Sequence, residues 1–218
     1  MVDLARPAPV ARTAALPVLG LAGVALLALA AQFMTVIMLA ASTAPGYDVA
    51  GGAISDLGVI SDTRLLFNVS LLVVGALNLA GGILLYRWHR QRWILTVFAL
   101  AGIGAIGAGL FPLDSAGPHG LFALLAFVAF NVEACAMSTT VTGPMRWLSL
   151  LAGVVGLGFV VLMVIGDAGN PAVFGPIGHG GAERMIVYPA MLWLIGFGGY
   201  LMGISGDEGH EVEGSTGR

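Results

Sequence analysis

Along this chain, stretches of twenty or more residues without Asp, Glu or Arg alternate with short clusters of charge. Crossing the ~30 Å hydrocarbon layer of a bilayer as a helix takes about 20 apolar residues. The intervals from Arg12 to Asp48, Arg64 to Arg87, Arg92 to Asp114, Arg146 to Asp167 and Arg184 to Asp207 enclose 35, 22, 21, 20 and 22 uncharged residues, enough for one span each. Between Asp114 and Arg146 only Glu133 interrupts, and the apolar run over 121–130 makes this a sixth span. The pattern predicts an all-α fold, a polytopic transmembrane bundle of six helices near 16–42, 65–87, 92–113, 118–142, 146–167 and 184–205. Residues 1–15 then form a short N-terminal segment, and 206–218, rich in Gly, Asp and Glu, a disordered acidic tail. The first apolar run exceeds the about 7–15 residues of a signal-peptide core, so it is expected to be retained as a span.

Composition sharpens the class. Of 218 residues 58 % are hydrophobic and 10 % charged, with a mean hydropathy of +0.94, whereas a soluble domain carries about 25 % charged residues. A net charge of −3 supplies no basic stripe for phosphates, which argues against nucleic acid as a partner. A single cysteine, Cys135, excludes a disulfide framework and a Cys-rich zinc site. The positive charges, all Arg, set the expected orientation, because cytoplasmic loops retain positive residues. Arg6, Arg12, Arg87, Arg90, Arg92 and Arg146 fall on one side and only Arg64 and Arg184 on the other. Both termini are therefore expected in the cytoplasm. The acids Asp48, Asp56, Asp62, Asp114, Asp167 and Glu183 then gather outside.

Glycine is placed with helical spacing: Gly102, Gly104, Gly107 and Gly109 in span three, Gly153 and Gly156 in span five, Gly196 and Gly199 in span six. Such stripes let helix backbones approach closely where lipid offers no hydrophobic drive. They are expected to pack within the bundle, with homo-oligomerisation through the same faces as the alternative. The G-x-G-x-x-G match in span three lies inside an apolar helix and is not a nucleotide loop. Trp88, Trp93 and Trp147 accompany the cytoplasmic Arg residues as an interfacial belt.

The chemistry is concentrated on the outer face. Ser55-Asp56 lies in the first outer loop, Asp114 precedes Gly117-Pro118-His119, and Asp167 precedes Gly175-Pro176-Ile177-Gly178-His179, so two hairpins repeat one arrangement. Asp56, Asp114, Asp167, His119 and His179 have the donor types of a zinc-like divalent metal site, although no closely spaced ligand pair occurs. The plain alternative has Asp62, Asp114 and Ser115 capping helix N-termini and the histidines facing water. Glu183-Arg184 opens span six, with Tyr188 four residues on and on the same helix face. Arg184 suits a carboxylate or a lipid phosphate, and Asp56 or Asp62 is its natural partner, holding the first loop over the bundle. Within the membrane, Glu133 is the one acid in a span, and a rise of ~1.5 Å per residue puts Asn78 at its depth. A Glu133 bonded to Asn78 or Asn131 is a structural solution; a proton or ion pathway is the functional one.

Ser55-Asp56-Leu57-Gly58, Gly109-Leu110-Phe111-Pro112 leading to His119, and Gly181-x-Glu183-Arg184-x-x-x-Tyr188-Pro189 together resemble domain-of-unknown-function family 998. The resemblance spans roughly 16–205 and implies a six-span bacterial or archaeal protein of the prokaryotic plasma membrane. It also implies that Asp56, His119, Glu183 and Arg184 belong to one family pattern; it implies no activity. The leading expectation is an outer pocket of Asp56, Asp114, His119, Glu183, Arg184 and Tyr188 that binds a membrane lipid headgroup or small polar ligand. The alternatives are a membrane-embedded metal-dependent hydrolase or lipid-modifying enzyme, and a transporter centred on Glu133.

Overall fold

The computed structural model describes residues 9–115 and 117–216, with side chains over 17–115 and 117–206. Six α-helices follow one another: α1 (Pro9–Thr43), α2 (Arg64–His89), α3 (Arg92–Leu110), α4 (His119–Met137), α5 (Gly143–Asp167) and α6 (Gly178–Thr216). All six contain a stretch long and apolar enough to cross a membrane, and no strand occurs among the described residues. This is a multi-pass membrane protein of the all-α class.

Helix ends depart from the charge-based reading for local reasons. α3 stops at Leu110 because Pro112 disfavours helical backbone at the residue before it. α4 stops at Met137, where Ser138, Thr139 and Thr140 turn their hydroxyls onto the carbonyls of Cys135, Ala136 and Met137 and compete with the helical ladder. α5 begins at Gly143 with Pro144 in its first turn, where a missing N–H costs nothing. α6 starts six residues earlier than predicted and runs to Thr216, so the backbone of 206–216, expected as a disordered tail, is helical. Residues 1–8 of the expected N-terminal segment lie outside the described residues.

The helices form a ring in chain order, closed by α6 against α1, and α4 also meets α6 across it. Short connections, 90–91 and 138–142, lie at one end; the segments 44–63, 111–118 and 168–177 lie at the other. Arg87, Arg90, Arg92 and Arg146 with Trp88, Trp93 and Trp147 occupy the short-loop end, while Asp48, Asp56, Asp62, Asp114 and Asp167 occupy the long-loop end.

Small residues set the helix crossings. A Cβ on Gly23 would lie 2.5 Å from the Gly198 carbonyl oxygen, and one on Gly198 would lie 2.6 Å from that of Gly23. The α1–α6 crossing is thus backbone on backbone, the closest approach two helices make. Gly153 and Gly156 bring α5 onto Asn131 and Cys135 of α4 in the same way. Gly196 and Gly199 differ from expectation: they face outward with no neighbour within 4 Å. Polar groups in the core are few and mostly paired. Trp193 stacks on Phe197 at 5.0 Å and donates its indole N–H to Ser149, whose hydroxyl bonds the Met145 carbonyl.

Candidate functional site: a cleft at the long-loop end

Two segments shape this end. After α1, residues 44–53 turn back over the bundle and lead into a short 3₁₀ turn, Ile54–Gly58. After α5, a second 3₁₀ segment, Pro171–Ile177, sets Phe174 against Gly166 and leads into α6. Gly178 has φ of +68° and its Cα packs on the Ala50 carbonyl, while the Gly180 amide donates to that same carbonyl at 2.9 Å. A side chain at Gly178 would meet both the strained backbone region and the loop.

The start of α6 holds the first loop in place. Arg184, 8 % exposed, directs Nη1 to the carbonyls of Val49 (2.9 Å), Gly180 (2.9 Å) and Gly52 (3.2 Å), and Nη2 to the Tyr47 hydroxyl (2.7 Å). Tyr47 in turn donates to Ala53 O at 2.7 Å. Burial pushes the Tyr47 phenol above its ordinary value, against the pull of Arg184, so it stays a hydroxyl. The buried Glu183 carboxylate accepts the Ile54 amide, an acid at the positive end of a helical turn. The expected partners of Arg184, Asp56 and Asp62, are not its partners. Asp56 accepts the Ala53 amide within its own turn (2.8 Å), and Asp62 accepts the Ser61 hydroxyl. A planar guanidinium satisfies several converging carbonyls as well as one carboxylate, and the turn supplies those carbonyls at close range.

Beneath this loop, a cleft of about 590 Å³ opens among the long-loop halves of α4, α5 and α6. Its polar wall is Asp56, His119, Asp167, His179, Glu183 and Ser55. Its apolar wall is made by Ala123, Leu124 and Phe127 of α4 with Val160, Met163 and Val164 of α5. A narrow apolar cavity of about 60 Å³ shares Ser55, His119, Ala123, Phe127, Glu183 and Ile186 with the cleft and reaches between α1, α2 and α3. His119, 7 % exposed, has Nδ1 at 2.7 Å from the Phe111 carbonyl. A carbonyl only accepts, so Nδ1 carries the proton there, and in the neutral ring Nε2 is then the acceptor. His179 pairs with Asp167 at 3.2 Å and presents its ring to the edge of Phe174 at 5.2 Å.

Of the expected outer pocket, Asp56, His119 and Glu183 line this cleft, while Asp114, Arg184 and Tyr188 do not. Asp114 is bound by Arg64 through two contacts of 2.6 and 3.1 Å, tying the α3–α4 segment to the start of α2. The capping roles expected for Asp62, Asp114 and Ser115 are absent, since Thr63 and Pro118 are the N-cap residues and neither helix has a side-chain cap. Tyr188 is half-buried and packs on the main core. Asp167 and His179, expected as metal donors with Asp56, Asp114 and His119, do line the cleft; among the described residues, however, no three His, Cys, Asp or Glu side chains converge as a metal site needs. The two hairpins that look alike in sequence also part company, one burying its His against a carbonyl and the other pairing it with an Asp. Ser55 and the Tyr47 partner of Arg184 are the additions that sequence reasoning missed as site residues. Ser55 sat inside the family-like motif, but nothing local distinguishes Tyr47.

Deeper in the bundle, Asn78 donates to Glu133 Oε2 at 3.1 Å and to the Phe98 carbonyl at 3.0 Å, joining α2, α3 and α4. Asn131, the other partner considered for Glu133, turns instead to the carbonyls of Phe127 (2.8 Å) and Ile186 (3.1 Å), bridging α4 to α6. Glu133 is fully buried.

No curated protein and no solved structure matches the chain. A family described as protein of unknown function (DUF998) matches over residues 27–200, which covers α2 to α5, part of α1 and of α6, the loop that Arg184 holds and every charged wall residue of the cleft. The chain belongs to the family of proteins of unknown function DUF998.

Proposed function

We propose that this is a binding protein of the prokaryotic plasma membrane that holds a lipid headgroup or small polar ligand in the cleft under the 44–58 loop. The excess of Arg at the short-loop end supports a cytoplasmic position for that end and an extracytoplasmic one for the cleft. The single observation that carries the reading is the cleft itself. Its ~590 Å³ falls in the ~300–1,000 Å³ range of small-molecule sites, and it joins a wall of five titratable side chains to an apolar wall. Buried polar side chains such as His119 and Glu183 cost stability unless they are hydrogen-bonded. Here each is oriented by a backbone bond, an arrangement that keeps a binding wall in fixed geometry before the ligand arrives.

The test is mass spectrometry of small molecules retained after purification in mild detergent, run in parallel on His119→Ala and Asp56→Asn. The expected result is a defined species retained by the wild type and depleted in both variants. Equal recovery from all three proteins, or none from the wild type in native membrane extracts, overturns the reading.

A further inference from the structure

We propose that the occupant of this cleft is an amphiphile with an ammonium-bearing headgroup that enters sideways from the adjacent leaflet, between α4 and α5. The inference rests on the binding reading above and goes beyond it by naming the ligand class and its route.

The route follows from how α4 and α5 pack. Toward the short-loop end they are locked together, since Gly153 and Gly156 press against Asn131 and Cys135 with no room for a Cβ. Toward the long-loop end their side chains separate around the cleft. Leu124 on α4 and Val164 on α5 stand at its edge, 42 % and 52 % exposed, while Val160 and Met163 form its buried back wall at 7 % each. Phe127 lies eight residues into α4 and Val160 seven residues from the end of α5, about 10–12 Å along each helix at ~1.5 Å per residue. Half of the hydrocarbon layer is about 15 Å. The edge of the cleft therefore faces acyl chains, and its polar wall lies level with headgroups. A water-soluble ligand has no use for that lower, apolar half.

The headgroup follows from the donor and acceptor inventory. Both arginines at this end are spent: Arg64 on Asp114, Arg184 on the loop carbonyls and Tyr47. The wall instead offers acceptors. Asp56 is engaged through Oδ2 and Asp167 through Oδ1, which leaves each a second carboxylate oxygen outside those bonds, and both residues line the cleft together with His119 and Glu183. The groups in this wall that can carry positive charge are its two imidazoles, His119, held through Nδ1 by the Phe111 carbonyl, and His179, paired with Asp167. A phosphate or sulfate leading into this wall would meet carboxylates, whereas an ammonium brings a fixed positive charge and N–H donors to them.

Two phospholipids of matched chains, phosphatidylethanolamine and phosphatidylglycerol, each with a diazirine near the middle of one chain, test both parts on the full chain in nanodiscs. After photolysis, peptide mapping should place phosphatidylethanolamine on residues 120–127 and 160–164, several-fold above phosphatidylglycerol. The double variant Asp56→Asn, Asp167→Asn should bring the two lipids to parity, and Leu124→Trp, which fills the edge of the cleft, should remove labelling at both segments. Equal labelling by the two lipids of the wild type overturns the headgroup assignment. Labelling spread over all lipid-facing helices overturns the lateral route. If the wild type retains a water-soluble species that the His119→Ala variant loses, and labelling is absent from α4 and α5, the binding reading stands and the amphiphile falls; absence of both removes the binding reading as well.

Discussion

Replacing Arg184 by Met keeps the length and most of the apolar stem but removes the guanidinium that holds the first loop. In the native protein that group makes four contacts of 2.7–3.2 Å at 8 % exposure, three of them to residues more than 130 positions away. Removing one member of a buried charged network costs about 3–5 kcal/mol. Here the cost falls on the loop rather than on the whole bundle, because α6 keeps its backbone crossing with α1. At ~1.4 kcal/mol per factor of ten, the lower figure raises the population of the open loop about a hundredfold. Hydrogen exchange reads this directly. The reporters are the amides of Gly52, Ala53 and Ile54, bonded to Asp48 O, Asp56 and Glu183, and the Gly180 amide, bonded to Ala50 O. They should exchange about a hundredfold faster in Arg184→Met, with the amides of α3 unchanged. Arg184→Lys keeps a charge beside Glu183 but loses the planar fork, and should fall between, at roughly tenfold. If Arg184→Met leaves these four amides at wild-type rates, the guanidinium does not hold the loop. If the Lys and Met variants match at the hundredfold level, positive charge without the planar fork contributes nothing to holding the loop.

Two further substitutions probe the bundle. Glu133→Gln preserves an oxygen for the Asn78 donor and should change unfolding stability in detergent by less than ~1 kcal/mol, whereas Glu133→Ala leaves a void and an unmet Asn78 donor and should cost about 2–4 kcal/mol; equal losses in the two would refute the hydrogen-bonded role. Gly198→Val places a side chain on the Gly23 carbonyl and should destabilise by at least ~1–3 kcal/mol, while Gly196→Val on the open face should stay within ~1 kcal/mol of wild type. Thermal unfolding that ranks Gly196→Val as the worse of the two would contradict the crossing geometry.

The six spans were legible because charge is so rare that each cluster marks a helix end. Depth was legible too: a helix is a rigid ruler, and counting along it paired Asn78 with Glu133 across 55 residues of chain. What the sequence did not carry was partner choice. An Arg near two Asp residues invites an ion pair, yet Arg184 binds carbonyls that every residue possesses and that become targets only once the loop is curled. The same limit applies to the two Asp-Gly-Pro-His hairpins. Their sequences agree, but Arg64 takes Asp114 away from one of them, and nothing within the hairpin announces that competitor. Small-residue stripes were ambiguous in a similar way, since Gly198 is buried in a crossing and Gly196, two residues earlier, faces outward.

The hold of α6 on the loop after α1 has a consequence for biogenesis. The two halves of that contact are separated by 129 to 137 positions, so a chain emerging from the ribosome builds the loop well before its anchor. Until the last helix is inserted, the Ile54 amide has no Glu183 to receive it and the carbonyls of Val49 and Gly52 have no guanidinium. A nascent chain stopped after α5 therefore has five helices in the bilayer and no roofed cleft. The pocket is complete only once α6 has been made, and its completion coincides with closure of the helix ring.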